Sequence, residues 1–150
     1  MIASTGFRMA HITDVHIQPE LKALEVWKKT LSHINEDSHD YNLVITGGDA
    51  VMNATNEEEK RIELQWDLWQ EGLTSLTRIE SLHCIGNHDV LSWKTNDETA
   101  SLQKKRAVNE LKMPGRYYSV DRGGWHIIFL DSCQPLNGDY IAKLDRQQFQ

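Results

Sequence analysis

Leu43-Val44-Ile45-Thr46-Gly47-Gly48-Asp49 decides the fold: a short apolar run that suits a buried strand passes without a break into two glycines and a carboxylate. The same design recurs on either side of it. Upstream, Phe7-Arg8-Met9-Ala10-His11-Ile12-Thr13 leads into Asp14-Val15-His16. Downstream, Leu82-His83-Cys84-Ile85 leads into Gly86-Asn87-His88-Asp89. Three strands of one sheet would then deliver carboxylate, imidazole and amide groups to a single edge, because parallel α/β sheets gather ligand sites just outside the carboxyl ends of their strands.

Helical periodicity fills the gaps between these strands. Leu21, Leu24, Trp27, Leu31 and Ile34 recur at spacings of three and four, as do Ile62, Trp66, Trp69, Leu73 and Leu76. The order strand, helix, strand, helix, strand predicts a mainly parallel sheet with helices packed on it. A weaker amphipathic pattern, with Leu102, Arg106 and Asn109, predicts a third helix over Glu98 to Leu111, ended by Pro114-Gly115. Arg116 to Asp121 and Trp125 to Asp131, joined at Arg122-Gly123-Gly124, read as a β-hairpin, so the chain turns from βα units to antiparallel pairing. Ala142 to Gln150 reads as the start of another helix with no stop signal behind it. The 150 residues are therefore expected to be the N-terminal part of a single domain whose C-terminal part is absent.

With 39% hydrophobic and 25% charged residues the composition is that of a globular domain, and no shift in it marks a linker. The net charge of −6 argues against a broad basic face for nucleic-acid backbone, although nucleic acid is not excluded as a substrate. No transmembrane run or signal peptide is recognisable behind Met1, so no membrane association is expected. A cytoplasmic location follows as written, and a secreted or periplasmic one if a leader was removed. Cys84 and Cys133 are too few for a disulfide framework or zinc ribbon and read as buried thiols. Glu57-Glu58-Glu59 suits the first turn of the second helix, where negative charge meets the positive end of the dipole.

The three clusters carry metal-competent side chains. In extended backbone Asp14 and His16, one residue apart, point to the same side and can chelate one ion. Gly47 and Gly48 allow a sharp turn that leaves Asp49 at the strand end, where one carboxylate can bridge two ions. Asn87 offers a neutral amide oxygen, and His88, aimed differently, is left free for proton transfer. Each motif alone is ordinary turn or capping chemistry; three in this order behind three strands point to one site.

Ile12-Thr13-Asp14-Val15-His16, Gly47-Gly48-Asp49 and Gly86-Asn87-His88-Asp89 together resemble the first three signature blocks of the calcineurin-like metallophosphoesterases. Tyr117 to Asp121, Ile128 to Ser132 and Asp145 to Phe149 resemble elements of the cyclic-nucleotide phosphodiesterase-like branch. The resemblance implies a four-layer αββα sandwich, here truncated, with a two-metal site that hydrolyses phosphomonoesters or phosphodiesters of small phosphorylated substrates. It implies Asp14 and His16 as ligands of the first ion, Asp49 as the bridge, Asn87 as ligand of the second and contact to phosphate, and His88 as the non-ligand catalytic histidine. A metal-held hydroxide would attack phosphorus in line, and the ions would be manganese, iron or zinc.

Two departures from the family pattern stand out. The later ligand histidines, in a Gly-His step and a GHxH block, have no counterpart after Asp89, where His126 is the only histidine and reads as a strand residue. Where many members carry a second Asp that supports the catalytic histidine, this chain has Met52, leaving Asn53 or Asp89 to orient His88. The alternative function is an inactive fragment or pseudoenzyme that acts as a metal-binding or interaction module, with a homo-oligomer covering an exposed apolar face. His11, His33, His39 and His83 read as structural or solvated, and Trp93 either packs or walls a substrate pocket.

Overall fold

The computed structural model describes residues 6–36, 40–96 and 99–150; residues 1–5, His39 and Glu98 lie outside them. Strands β1 (Met9–Ile12), β2 (Leu43–Thr46) and β3 (Glu80–His83) form a parallel sheet in the order β1-β2-β3. Val44, opposite both Ala10 and Ser81, is fully buried at its centre. The apolar run of β2 follows from that position, since a central parallel strand is covered on both faces. β3 sits two residues earlier than the reading Leu82–Ile85. Cys84 N–H still reaches the Thr46 carbonyl at 2.8 Å, after which Ile85 leaves the ladder and enters the core.

Helix α1 spans Ala23–Ile34 and buries Trp27, Leu31 and Ile34. Leu21 does not join this face: it precedes the helix, has a left-handed φ of 56° and is 83% exposed. Helix α2, Glu59–Leu73, buries Ile62, Trp66 and Trp69 as its periodicity predicts. The Trp27 and Trp69 rings stack at 4.9 Å, and Trp27 lies where a side chain at Gly72 would stand, its Cδ1 only 1.9 Å from an ideal Cβ. Gly72 thus sets the approach of α1 to α2, and the stacked pair anchors the main core with Ile17, Val51 and Ile85.

Helix α3, Ala100–Glu110, corrects the expected stripe. Its buried residues are Ala100, Lys104 and Ala107, whereas Leu102 is 62% exposed and Arg106 pairs with Glu59 and Glu110. Lys104 can occupy a core position because Asp131, fully buried, lies 2.7 Å from its ammonium. Arg116 reaches the same Asp131 oxygen at 2.7 Å and also pairs with Asp145.

The β4–β5 hairpin (Tyr118–Arg122 and Trp125–Phe129) turns at Gly123 and Gly124, with φ values of 57° and 84°. Such values suit the twist of a two-residue turn and favour glycine. The Tyr118 hydroxyl accepts from His83 N–H at 3.1 Å and donates to the His83 carbonyl at 2.9 Å, satisfying one residue on the outer edge of β3. A second hairpin follows. β6 (Cys133–Leu136) and β7 (Asp139–Ala142) pair through an Asn137-Gly138 turn, φ 53° and 83°. The helix expected over Ala142 to Gln150 is replaced by the end of β7 and a 3-10 turn, Arg146–Phe149, capped by the Asp145 carboxylate. That stretch has no apolar stripe to bury, and Phe149 is 74% exposed. No helix among the described residues is long and apolar enough to cross a membrane.

His83 illustrates how a polar strand residue is held inside. It is 5% exposed, with Nδ1 2.9 Å from Thr46 Oγ1 and Nε2 3.2 Å from Ser81 Oγ. Burial, with the charge of Lys112 adding to it, pushes its pKa down to about 4. The folded value lies below the unfolded one of about 6.5, so the neutral ring contributes its full stability above pH 6.5 and loses it as pH falls towards 4. The swing is about 3 kcal/mol for a shift of that size. In an NMR titration the His83 ring signals are expected to stay constant from pH 8 to 5; a midpoint near 6.5 would show the ring to be solvated.

Candidate metal and hydrolytic site

The turns behind β1 and β2 are sewn together by the main chain. Asp14 N–H donates to the Gly48 carbonyl at 3.2 Å, His16 N–H to the Asp49 carbonyl at 3.0 Å and Ile17 N–H to the Ala50 carbonyl at 2.9 Å. Asp14, His16 and Asp49 all have left-handed backbone, with φ of 55°, 49° and 50°. Non-glycine residues rarely adopt it, and it collects where structure is over-determined around a site. This corrects the extended reading of Asp14 and His16: a turn, not strand alternation, brings their side chains together.

The third cluster closes on the second through two glycines. A Cβ on Gly48 (φ 111°) would come within 2.8 Å of Gly86 N, and one on Gly86 within 2.1 Å of Asp49 Oδ1. Asp89, fully buried, clasps both turns, accepting from Val51 N–H at 3.1 Å and Gly86 N–H at 2.8 Å. Burial raises its pKa to about 7, against the lowering effect of those N–H groups. Asp49 Oδ1 accepts the His88 N–H at 2.9 Å, and the His88 carbonyl accepts from Ala54 N–H at 2.7 Å.

These bonds place the side chains. His16 Nε2 lies 3.8 Å from Asp14 Oδ1 and 4.0 Å from Asp49 Oδ2. His16, Asp49 and His88 each bring one ligand atom within 4.8 Å of the others, and the two imidazoles meet edge to face at 4.6 Å. His16 Nδ1 is buried without a hydrogen-bond partner. His88, read as a non-ligand, therefore shares the cluster, while Asp14 stands at its more exposed side with its Oδ2 taken by the Thr13 hydroxyl at 2.5 Å. Asn87 lines the cavity beside His88, and its main-chain carbonyl accepts from Trp93 Nε1 at 3.3 Å.

Neither residue expected to orient His88 does so. Asn53 spends its amide on Thr55 and Glu57, and Asp89 is committed to the turns. His88 Nδ1 instead lies 2.5 Å from the main-chain carbonyl of Met52, so Nδ1–H donates there and Nε2 is the nitrogen left for other chemistry.

Beside His88 opens a cavity of about 250 Å³, lined by Asn53, Thr55, Asn87, Trp93, Asp139 and Tyr140. Trp93, 5% exposed, both packs and walls this space. Asp139 and Tyr140 lie in a stretch to which the sequence reading assigns no element; the Asn137-Gly138 dipeptide, a strong hairpin signal, would have found them. The larger cavity, about 510 Å³ between α2, β3 and the end of α3, is lined by none of the site residues. His126 is not part of the site and pairs across its hairpin with Asp121 at 2.8 Å. Cys84 and Cys133 are free thiols whose pKa values burial pushes up, which leaves neither activated as a nucleophile.

A family model described as calcineurin-like phosphoesterase matches residues 7–146. The chain belongs to the calcineurin-like phosphoesterases, and its mixed α/β fold agrees with membership of that family. Comparison with curated proteins gives no match. The family's chemistry is metal-dependent hydrolysis of phosphoric esters, and the chain has a cluster able to hold a metal ion.

Proposed function

We propose that this site hydrolyses phosphoric esters, monoesters or diesters, of small substrates, with Asp14, His16, Asp49 and Asn87 holding two divalent ions and His88 serving the leaving alcohol. The observation that carries the reading is the gathering of the Asp14 and Asp49 carboxylates within 4.0 Å of His16 Nε2, with the His88 ring against that of His16 beside an open cavity. The donor set fits divalent metal. Separations of 3.8 and 4.0 Å are long for hydrogen bonds yet short enough for side chains sharing one ion at bond lengths of about 2.1 Å. Imidazole and carboxylate donors suit manganese, iron and zinc alike.

Bound ions supply an activated water and neutralise charge growing on the phosphoryl oxygens. The chain's own residues do the rest. The two carboxylates, Asp14 and Asp49, set the charge of the site, and Asp49 is held by the His88 N–H so that its other oxygen faces His16. Asn87 presents an amide N–H to a phosphoryl oxygen without adding negative charge. As an imidazolium, His88 keeps its Nδ1–H on the Met52 carbonyl, gives its Nε2 proton to the leaving oxygen and returns to the neutral Nδ1–H form, a role worth 10²- to 10⁴-fold in typical general acid catalysis.

Hydrolysis of bis(p-nitrophenyl) phosphate is expected to require added manganese, to stop with chelator and to fall on the order of a hundredfold or more in His88→Ala with metal content unchanged. Loss of metal together with turnover in that variant would make His88 a ligand and refute its proton-transfer role. The second reading, an interaction module without turnover, draws on Trp125 and Ile128 of β5, each 61% exposed. Wild-type protein that binds manganese and hydrolyses neither this diester nor p-nitrophenyl phosphate would favour it.

A further inference from the structure

The cavity beside His88 has a chemistry of its own. Of the polar groups around it, Asn53 and Thr55 are consumed internally: the Asn53 amide binds Thr55 and Glu57, and the Thr55 hydroxyl donates to the Val90 carbonyl at 2.7 Å. Among the described residues no lysine or arginine lines the space. What faces a ligand is the Tyr140 ring, backed by the buried Trp93 with centroids 5.3 Å apart and planes tilted by 40°, together with the Asp139 carboxylate, Asn87 and His88. Asp139 uses Oδ1 on the Tyr140 N–H at 2.9 Å, which leaves its other oxygen for a ligand.

We infer that this cavity receives a positively charged leaving group, an amino alcohol of the choline or ethanolamine kind, with its ammonium against the Tyr140 ring that Trp93 backs and its charge met by Asp139. The inference rests on the hydrolytic reading for the term leaving group, since His88 lines the same space; the cation site itself needs neither metal nor phosphorus. Aromatic faces attract cations through their quadrupole, and quaternary ammonium groups are recognised in this way. Trp93 already accepts one cation, the Lys104 ammonium at 5.8 Å from its centroid, but Lys104 is buried and neutralised by Asp131, so it belongs to the core side of the ring. Tyr140 is 44% exposed and leaves ring surface for a ligand. The volume of about 250 Å³ suits a small alcohol, and the lack of basic residues excludes leaving groups with further phosphates.

The test is a pair of NMR titrations on the metal-free chain, with choline and with its uncharged isostere 3,3-dimethylbutan-1-ol, read at the Trp93 indole N–H. Choline is expected to shift that signal and to bind at least tenfold more tightly than the alcohol. Asp139→Asn and Tyr140→Leu should each bring the ratio below threefold while the remaining indole signals keep their positions. Equal affinity for the two ligands, a silent Trp93, or a preference that survives both substitutions overturns the inference. Because no turnover is measured, its failure is separate from failure of the hydrolytic reading, which the manganese assay decides.

Discussion

Asp49→Asn is expected to leave the protein folded, to weaken metal binding by at least tenfold and to lower phosphodiester hydrolysis by about a thousandfold. The amide oxygen can still accept the His88 N–H that Asp49 Oδ1 now takes at 2.9 Å, so the turn behind β3 keeps its anchor. What disappears is the negative charge facing His16. Asp49→Ala removes both, and the comparison separates charge from architecture: the Asn variant should retain its melting temperature within about 2 °C, the Ala variant should not. Metal content by atomic emission, denaturation midpoint and turnover on the same samples check the three parts. Unchanged turnover in Asp49→Asn would remove Asp49 from the metal site, whatever its place in the fold.

Asp131→Ala is expected to destabilise the protein by about 3–5 kcal/mol. Among the described residues, the substitution strips Lys104 of its only buried counter-charge and Arg116 of one of two, and it also empties the acceptor for Cys133 N–H. Arg116 keeps Asp145, so the uncompensated charge is chiefly that of Lys104, 1% exposed and too deep to reach water without displacing α3. Replacing both partners, as in Lys104→Met with Asp131→Leu, should recover a large part of the loss, because an apolar pair of similar volume leaves no orphan charge. Urea unfolding of the two single variants and the double variant measures the coupling. A loss below 1 kcal/mol in Asp131→Ala would mean that water enters the site. The effect should extend to the cavity wall, since the main chain of Asp131 also holds Gln134 and Gln148, at the base of the β6–β7 hairpin that carries Tyr140.

The sheet and the convergence of its strand-end clusters were legible in the sequence for the same reason: Leu43 to Ile45 is apolar on both faces, as a strand buried in a parallel sheet requires. The clusters at the ends of such strands had to come together once the sheet formed. Helix α2 was equally plain, its tryptophans recurring on the buried face. Helix α3 was not, because its buried face consists of two alanines and a lysine, and a lysine reads as buried only when its partner, 27 residues further on, is known. The left-handed backbone at Asp14 and His16 could not be read from residue type, since neither is glycine and the crossing bonds to Gly48 and Asp49 impose it. The β6–β7 hairpin did carry a local signal in Asn137-Gly138, obscured by a chain end that resembled a helix start.

The Met52 carbonyl has a consequence for how such a site is inherited. A task carried by a side chain is lost with one substitution and can be recognised by its letter; a task carried by the main chain belongs to the course of the backbone and has no letter at all. With His88 hydrogen-bonded to that carbonyl, the place where many relatives keep an aspartate is released from this duty, and methionine there need not signal a dead centre. The alphabet at position 52 can drift while the geometry is transmitted intact through Gly48, Gly86 and the turns they permit.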